Sequence, residues 1–269
     1  MSARAPGGRP TLARLRAGVW LPPLVALGIV AGGWQLYAAG HPLVLPTVPA
    51  VFAELGHQPG LFARDAAQTL VELGVGAGSG FAAALLCAIG MSEVRVLERA
   101  VMPLAVALNV TPIVSIAPVL TVIFGLSVIP RYLVTALVVF FPVLVNALVG
   151  LRSADPAVLD LARTLDAGRL EVLGRIRLPA ALPFFFAAAR VGVPLGLVGA
   201  VVAEFSVSTY AGSGGLGNLI WTAAASGNGL PEVFASILLL AVIGIVLTLA
   251  VVLLERRVLA WHAAAPRAR

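Results

Sequence analysis

Lysine is absent from this chain of 269 residues, and cysteine, histidine and charge of either sign are scarce. The phosphate-binding loop of nucleotide hydrolases needs a lysine after its glycine, so the chain does not carry that loop. The single cysteine, Cys87, excludes a disulfide within the chain. The histidines His41, His57 and His262 are scattered and form no spacing typical of a metal site. We therefore expect no enzymatic activity, no metal and no cofactor.

Charged residues make up 11% of the chain and hydrophobic residues 60%, and the mean hydropathy is +1.02. A soluble domain carries about 25% charged residues, and a chain this apolar would expose too much apolar surface in water. The charges also fall in short clusters between long uncharged segments. The composition predicts a multi-pass protein of the cell membrane, with the lipid bilayer as its surroundings.

Six apolar segments have roughly the 20 residues needed to cross a bilayer core. They are 18–39, 67–90, 101–127, 132–151, 182–204 and 234–254. The third contains Pro103, Pro112 and Pro118, so we expect it to be kinked or broken. The sequence predicts an all-α bundle of six transmembrane helices. Its expected divisions are a tail at 1–17, a first helix at 18–39, a core domain at 40–258 and a second tail at 259–269.

The distribution of the arginines predicts which segments face the cytoplasm, because cytoplasmic segments of membrane proteins are enriched in basic residues. With the N-terminus inside, Arg64 and Arg131 alone fall in outer segments, Arg190 lies within a span, and the other arginines are cytoplasmic. Both termini and the segment 152–180 are therefore predicted to be cytoplasmic. The sequence pI of about 10.9 has the same origin, so it does not indicate a nucleic-acid partner.

The most informative cytoplasmic segment is DLARTLDAGRLEVLGRIRLP, residues 160–179. Its leucines and Ile176 recur at spacings of three to five among arginines and acids, which predicts short amphipathic helices. Asp166, Ala167 and Gly168 interrupt this pattern with residues that tolerate turn geometry. We predict a basic helix-turn-helix at the membrane surface that docks a partner protein.

This segment resembles the cytoplasmic loop of ABC-importer permeases, whose pattern is E-A-A, three residues, Gly, nine residues and I-x-L-P. Four residues match the pattern: Ala162, Ile176, Leu178 and Pro179. Three depart from it: Asp160 replaces Glu, Leu161 replaces Ala, and Asp166 replaces the turn Gly. Asp accepts left-handed backbone geometry better than most residues, so the turn at position 166 is expected to survive.

The resemblance extends over residues 45–258, through LPTVPAVFAEL, TPIVSIAPVLTVIFGL, FFPVLVNALVGLRSADP, VVAEF and GSGGLGNLIW in that order. Together these segments are similar to permeases for sulfonates, taurine, nitrate and pyrimidine or thiamine precursors. The resemblance implies a MetI-like permease core that forms the pathway for a small polar or anionic solute. It also implies three kinds of protein partner: two separate ABC ATPase subunits, an extracytoplasmic solute-binding protein and a second permease copy in a homodimer.

The resemblance further implies that the loop at 152–180 couples the permease to its ATPase. A short helix around Asp166–Leu170 is expected to insert into a groove on that subunit. The candidate coupling residues are Asp160, Ala162, Asp166, Ala167, Gly168, Leu170, Ile176, Leu178 and Pro179.

Polar residues within the spans are candidates for the solute pathway: Asn109, Thr111, Ser115, Thr121, Asn146, Arg190 and Glu204. Packing is the alternative for the hydroxyl residues, since Ser and Thr in membrane helices often bond back to their own helix. The alternative for Arg190 is to reach the cytoplasmic interface, and that for Glu204 is a structural contact with the GSGGLG segment. Glu72 has no partner suggested by the sequence and is expected to extend to the outer interface.

Two other classes of protein remain open. A secondary transporter normally shows repeated halves with broken helices in corresponding positions, whereas the proline-rich third span has no inverted twin. A membrane scaffold or insertase subunit would have no solute pathway at all. Co-purification with an ATPase and a solute-binding protein would distinguish an ABC-importer permease from both of these classes. The substrate is set largely by the binding protein, which is a different chain.

Overall fold

The structure is a computed structural model that describes residues 12–206, 214–227 and 229–260, with side chains described from Leu21 onward except at 108 and 114. The regular elements in these ranges are helices, as predicted for an all-α fold. They are α1 (Leu12–Gly40), α2 (Val48–His57), α3 (Pro59–Glu72), α4 (Gly78–Glu93), α5 (Arg95–Val110), α6 (Ile113–Phe124), α7 (Ile129–Leu151), α8 (Pro156–Thr164), α9 (Arg169–Val172), α10 (Leu178–Ser206), α11 (Leu216–Ala225) and α12 (Leu230–Val258). Most of the two expected tails, 1–11 and 261–269, lies outside the described residues.

Five helical stretches are long and apolar enough to cross a bilayer: Leu21–Gly40, Pro59–Glu93, Ile129–Leu151, Arg169–Ser206 and Leu230–Val258. A π-helical turn, Leu73–Ala77, joins α3 to α4, and another, Leu173–Arg177, joins α9 to α10. The helices of the second and fifth predicted spans are therefore longer than the apolar segments inside them. Their polar ends continue the helical backbone beyond the apolar stretch.

The predicted third span is broken, as its prolines indicate. α5 ends at Val110 and α6 begins at Ile113, and Thr111 between them is extended, with φ −71° and ψ 128°. The residue before a proline is pushed away from helical geometry, so Pro112 accounts for the break. Pro103 and Pro118 lie inside the two helices without interrupting them.

The centre of the bundle is α7, which packs most extensively against α10 and α4. Val139, Val143 and Ala147 of α7 belong to the main buried cluster, together with alanines of α4 and α10. The glycine-rich second span allows a close approach to α7. A Cβ atom added at Gly80 would lie 2.4 Å from the carbonyl oxygen of Ala136, so only glycine fits this helix crossing.

α1 lies at the periphery of the bundle. Most of its described side chains are exposed, and it is attached near its C-terminal end. The Trp34 indole donates a hydrogen bond to the carbonyl oxygen of Pro46 at 2.8 Å, and its ring packs edge-on against Phe234 of α12. Gln35 accepts a hydrogen bond from the amide of Val48 at 2.9 Å. These contacts join α1 to the start of α2 and to α12.

Candidate functional site

Residues 152–180, which we call the coupling segment, form a helix-turn-helix, as the sequence predicts. Asp155 is the N-cap of α8, since its carboxylate accepts a hydrogen bond from the Ala157 amide at 2.8 Å. α8 ends at Thr164, and α9 begins at Arg169. The expectation of one short helix around Asp166–Leu170 is therefore wrong, because Asp166 to Gly168 form the turn between two helices.

The turn after α8 is a Schellman motif with aspartate in place of the usual glycine. The Ala167 amide donates to the Ala162 carbonyl at 3.0 Å, and the Asp166 amide donates to the Arg163 carbonyl at 3.1 Å. This pair of bonds requires a left-handed residue at the position after the helix, and Asp166 has a φ of 51°. Within the described ranges, every other residue with a positive φ is a glycine. Asp166 thus adopts the conformation that glycine favours at this position.

The apolar residues of the coupling segment divide into two sets. Leu161, Leu165 and Leu170 are exposed, by 60%, 72% and 84% respectively. Leu173 and Leu178 are partly buried against the main core cluster of the bundle. An exposed apolar patch on a fixed backbone is typical of a protein-docking surface, whereas the second set connects that surface to the transmembrane helices.

Two ion pairs attach the coupling segment to neighbouring helices. Arg152 makes two hydrogen bonds to the carboxylate of Glu98 in α5, at 2.9 and 2.6 Å. Arg177 pairs with Glu93 at the end of α4 at 2.7 Å. The hydrogen bonds from Arg152 lower the pKa of the Glu98 carboxyl, so this pair stays ionised at neutral pH. A displacement of the coupling segment would therefore pull on the ends of α4 and α5.

The opposite end of the bundle contains a buried set of polar side chains. We call it the outer polar cluster, and its members are Asp65, Thr69, Glu72, Arg131 and Glu204. Arg131, in the first turn of α7, pairs with Glu72 at 2.7 Å and donates to the carbonyl oxygen of Gly214 at 3.1 Å. The expectation that Glu72 extends to the outer interface is wrong, because its side chain is fully buried and paired.

Glu204 holds the glycine-rich segment before α11. One oxygen of its carboxylate accepts a hydrogen bond from Thr69 at 2.7 Å, and the other accepts from the amide of Gly217. The Leu216 amide in turn donates to the hydroxyl oxygen of Thr69 at 2.9 Å. A carboxylate at the N-terminus of a helix is favourable because unpaired amides and the helix dipole meet it there. This is the structural contact expected for Glu204; Gly212 of the same segment lies outside the described residues.

Glycine is required where the chain passes over Glu204. Gly215 has a φ of 126° and a ψ of 149°, a conformation that is essentially restricted to glycine. A Cβ atom at this position would also lie 2.3 Å from the carboxyl carbon of Glu204. The Gly215 amide donates to Asp65. The glycines therefore allow the backbone to contact two buried carboxylates closely.

The outer polar cluster places the carboxylate of Glu72 in an ion pair with the Arg131 guanidinium, and it is a structural centre. One oxygen of Glu72, Oε2, has no hydrogen-bond partner within the described part of the chain. Among those residues no grouping of His, Cys, Asp and Glu is arranged to hold a metal ion. Buried charges are costly unless they are paired. The pairing here fixes α3, α7, α10 and the start of α11 relative to one another.

The structure places the pathway candidates in several separate parts of the bundle. Asn109, Thr111 and Ser115 lie at the break between α5 and α6, where all three are exposed, and Thr121 lies further along α6. Asn146 lies on α7 and Glu204 in the outer polar cluster. Arg190 pairs with Glu255 of α12 at 2.7 Å, and its position relative to the cytoplasmic interface stays a prediction.

Three of these side chains also bond back to their own helices. The hydroxyls of Thr111 and Thr121 donate to the carbonyls four residues earlier, at 2.8 and 3.0 Å. Asn146 donates to the carbonyl of Pro142 at 2.7 Å. These bonds satisfy the polar groups in an apolar helix, as the packing alternative requires. A role of these residues in the pathway stays a prediction.

Comparison with known families agrees with this geometry. The family model described as "Binding-protein-dependent transport system inner membrane component" matches residues 80–260. A probable ABC transporter permease protein of Haemophilus influenzae is 34% identical over 203 residues, which cover 74% of this chain and 81% of the relative.

Two further relatives carry the names of specific permeases. The formylaminopyrimidine transport permease ThiX of Halalkalibacterium halodurans is 31% identical over 232 residues, covering 85% of this chain and 91% of the relative. The riboflavin transport system permease RibX of Chloroflexus aurantiacus is 36% identical over 175 residues, covering 64% and 62%. Relatives named for aliphatic sulfonates, taurine and nitrate confirm the resemblance found in the sequence. The chain belongs to the inner-membrane components of binding-protein-dependent transport systems and is a multi-pass permease of an ABC importer for small solutes.

Proposed function

We propose that two copies of this chain form the translocation pathway for a small polar or anionic solute. An extracytoplasmic binding protein delivers the solute, and two separate ATPase subunits drive the transport from the cytoplasmic side. The observation that carries this proposal is the coupling segment, where an ordered helix-turn-helix holds three leucines exposed beside the inner ends of the bundle. The leucines need a protein partner because they lie outside the apolar spans.

The coupling residues have two roles in this proposal. The residues near the turn contact the ATPase: Asp160, Asp166, Ala167, Gly168 and Leu170. Ala162 is buried and supplies the carbonyl that closes the turn. Ile176, Leu178 and Pro179 are half-buried where the segment meets the bundle, and they transmit its movement. Helix-in-groove docking gains most from apolar anchors, so Leu170 is the principal contact.

The pathway in this proposal lies between two copies. Two cavities between the helices of one chain, of 740 and 370 Å³, have almost entirely apolar linings. Such cavities suit packing or lipid better than a polar solute. The exposed polar residues Asn109, Thr111 and Ser115 instead face outward at the break in the third span. A second copy related by a two-fold axis would enclose this face, with Thr121 and Asn146 at its borders.

The orientation places both termini and the coupling segment in the cytoplasm. Arg152, Arg163, Arg169, Arg175 and Arg177 lie at this end of the bundle, in agreement with the enrichment of basic residues inside. The outer polar cluster then lies near the extracytoplasmic surface, where the binding protein docks. We propose that the cluster keeps this surface rigid while the inner end moves.

The substrate is a small polar or anionic solute such as a sulfonate, taurine, nitrate or a pyrimidine or thiamine precursor. The names of ThiX and RibX point to nitrogen heterocycles as well, one of them as large as riboflavin. A ligand screen of the binding protein encoded beside this chain identifies the compound. Sulfonates and heterocycles are easily separated in such a screen, since only the former carry a fixed negative charge.

The assembly is tested by purifying the tagged permease with its ATPase and determining the stoichiometry by mass. We expect two permease chains and two ATPase chains, with solute uptake into reconstituted vesicles that requires ATP and the binding protein. One permease chain per two ATPases, or a second distinct permease chain, would overturn the homodimer. Transport without an ATPase would favour a secondary transporter instead.

The pathway is tested by cysteine labelling in a Cys87→Ala background. Cysteines introduced at Ser115, Thr121 and Asn146 should react with a small maleimide to an extent that changes with bound nucleotide. A cysteine at Leu86, which is exposed on the apolar surface of α4, serves as a control that nucleotide should not affect. If the extent of labelling is the same with and without nucleotide at all three positions, these residues pack within the bundle and do not line the pathway.

A further inference from the structure

Two arginines at the start of α5 have no acidic partner among the described residues. Arg95 and Arg99 are exposed, whereas the neighbouring acids are already paired, Glu98 with Arg152 and Glu93 with Arg177. Both arginines lie near enough to Glu98 to lower its pKa, after the larger effect of the Arg152 hydrogen bonds. The inner end of α5 therefore carries unbalanced positive charge.

Two cavities lie beside these arginines and share Arg95 as a lining residue. One, of 440 Å³, is lined by Arg95, Glu98, Arg99, Met102 and Pro103. The other, of 370 Å³, is also lined by Arg95 and Glu98, and it extends to Arg152 and Arg177 of the coupling segment. Arg152 and Arg177 are neutralised by Glu98 and Glu93, so the unbalanced positive charge beside the two cavities belongs to Arg95 and Arg99. An anionic group of the size of a phosphate diester would complement this charge.

The wall of the first cavity changes from charged to apolar within two helical turns. Met102 and Pro103 lie on the bilayer side of Arg99, and Leu104 and Val106 continue an exposed apolar surface along α5. Arginines at an inner surface that is continuous with exposed apolar side chains match both parts of a phospholipid. Basic recesses between transmembrane helices on the cytoplasmic side bind anionic lipid headgroups.

We propose that the recess at Arg95 and Arg99 is a binding site for one anionic phospholipid of the inner leaflet. The phosphate lies between the two guanidinium groups, and an acyl chain follows the apolar surface of α5. The site borders the ion pairs of Arg152 and Arg177, which hold the coupling segment. A bound headgroup therefore stabilises this end of the permease. The assignment to the inner leaflet rests on the proposed orientation, but the binding itself does not depend on the proposed pathway or on the ATPase.

The experiment compares lipid binding by the permease alone, purified in a neutral detergent. Binding of a fluorescent phosphatidylglycerol and of the matching phosphatidylcholine is measured for the wild type and for the double variant Arg95→Gln/Arg99→Gln. The control variant Arg256→Gln/Arg257→Gln removes the same charge from the exposed inner end of α12. Size-exclusion elution and thermal unfolding verify that each variant is folded.

We expect the wild type to prefer phosphatidylglycerol, and the α5 variant to lose roughly an order of magnitude in affinity, since each basic residue near an anionic surface contributes several-fold. The control should retain its affinity within about twofold, because its arginines line neither cavity. Phosphatidylglycerol should also raise the unfolding temperature of the wild type and of the control, but not that of the α5 variant.

Four results would overturn the proposal. Equal losses in the two variants would show general attraction to the inner surface. Equal binding of the two lipids by the wild type would exclude recognition of the headgroup. Full displacement of the lipid by inorganic phosphate at the same concentration would show a site for soluble anions. If α5 variants bind lipid normally but fail to bind the ATPase, the recess is part of the protein interface.

Discussion

The two ends of the bundle contain ion pairs of equal length in opposite surroundings. Arg131 and Glu72 in the outer polar cluster are 2.7 Å apart, and their side chains are 2% and 0% exposed. Arg163 and Asp160 in the coupling segment are also 2.7 Å apart, but their side chains are 77% and 68% exposed. Removing one partner of a buried pair costs about 3–5 kcal/mol, whereas an exposed pair contributes about 0–1 kcal/mol. Burial, not distance, decides what each pair contributes.

The same contrast applies to the apolar residues. At the outer end the polar side chains are enclosed and, apart from Oε2 of Glu72, bonded within the described chain, so this end needs no protein partner to cover it. At the inner end Leu161, Leu165 and Leu170 are exposed on an ordered backbone, so this end is complete only with a partner. The comparison predicts that breaking an ion pair costs more stability in the outer polar cluster than in the coupling segment, and that coupling depends on the exposed leucines.

The largest effect is expected for Arg131→Met, which leaves Glu72 buried without its partner. We predict a loss of about 3–5 kcal/mol of stability, measured by thermal unfolding in detergent. The matched control is Arg163→Met at the exposed pair, which should change stability by less than about 1 kcal/mol. The double variant Arg131→Met/Glu72→Met should recover part of the loss. Equal losses of stability in Arg131→Met and Arg163→Met would show that the buried and the exposed ion pair do not differ in their contribution.

A smaller but still substantial effect is expected for Gly215→Ala, because a Cβ atom would collide with Glu204 in a backbone conformation that disfavours alanine. Gly125→Ala is the control, since Gly125 also has positive φ, at 73°, but has open space around it. The control measures the backbone cost alone, about 1–2 kcal/mol. Thermal unfolding should rank Gly215→Ala as the more destabilised variant. If the two are equal, the contact with Glu204 is not rigid.

The features that the sequence predicts correctly are those set by nearby residues. The break before Pro112 follows from the effect of proline on the preceding residue. The turn at Asp166 follows from the interrupted spacing of the leucines and from the tolerance of Asp for left-handed geometry. Both signals lie within a few residues of the feature that they determine.

The sequence predicts little of the outer polar cluster, because its contacts join distant parts of the chain. Arg131 and Glu72 are separated by 59 positions, and Glu204 and Thr69 by 135. One signal was present: opposite charges at the outer ends of two apolar helices must be paired within the protein or reach water. The enrichment of basic residues in cytoplasmic segments assigns Arg131 to an outer segment, but it does not predict that Arg131 pairs with Glu72.

At the inner end, the turn should respond to Asp166 according to backbone preference. Asp166→Gly should retain ATPase affinity, whereas Asp166→Val should weaken it, because a β-branched residue strains left-handed geometry by about 1–2 kcal/mol. The measurement is ATPase binding to the detergent-purified permease. Equal binding by the valine and glycine variants would mean that the turn changes conformation when the ATPase docks.

The smallest effects are expected at the exposed ion pairs of the coupling segment. Asp160→Asn and Glu171→Gln each break one pair with an arginine, and each should change ATPase affinity by less than about tenfold, the equivalent of 1.4 kcal/mol. Titration with salt should reproduce these small changes in the wild type. A loss comparable to that of a leucine variant would show that charge, not apolar contact, controls docking.

The central claim is that the coupling segment transmits ATPase movement through its exposed leucines. It is tested most directly by binding-protein-stimulated ATP hydrolysis and solute uptake in vesicles containing Leu170→Asp. Arg169→Ala is the control at the neighbouring exposed position. We predict that Leu170→Asp abolishes most of the stimulated hydrolysis and uptake, whereas Arg169→Ala stays close to the wild type. If Leu170→Asp binds its ATPase and transports at the wild-type rate, the coupling segment is not the transmission element.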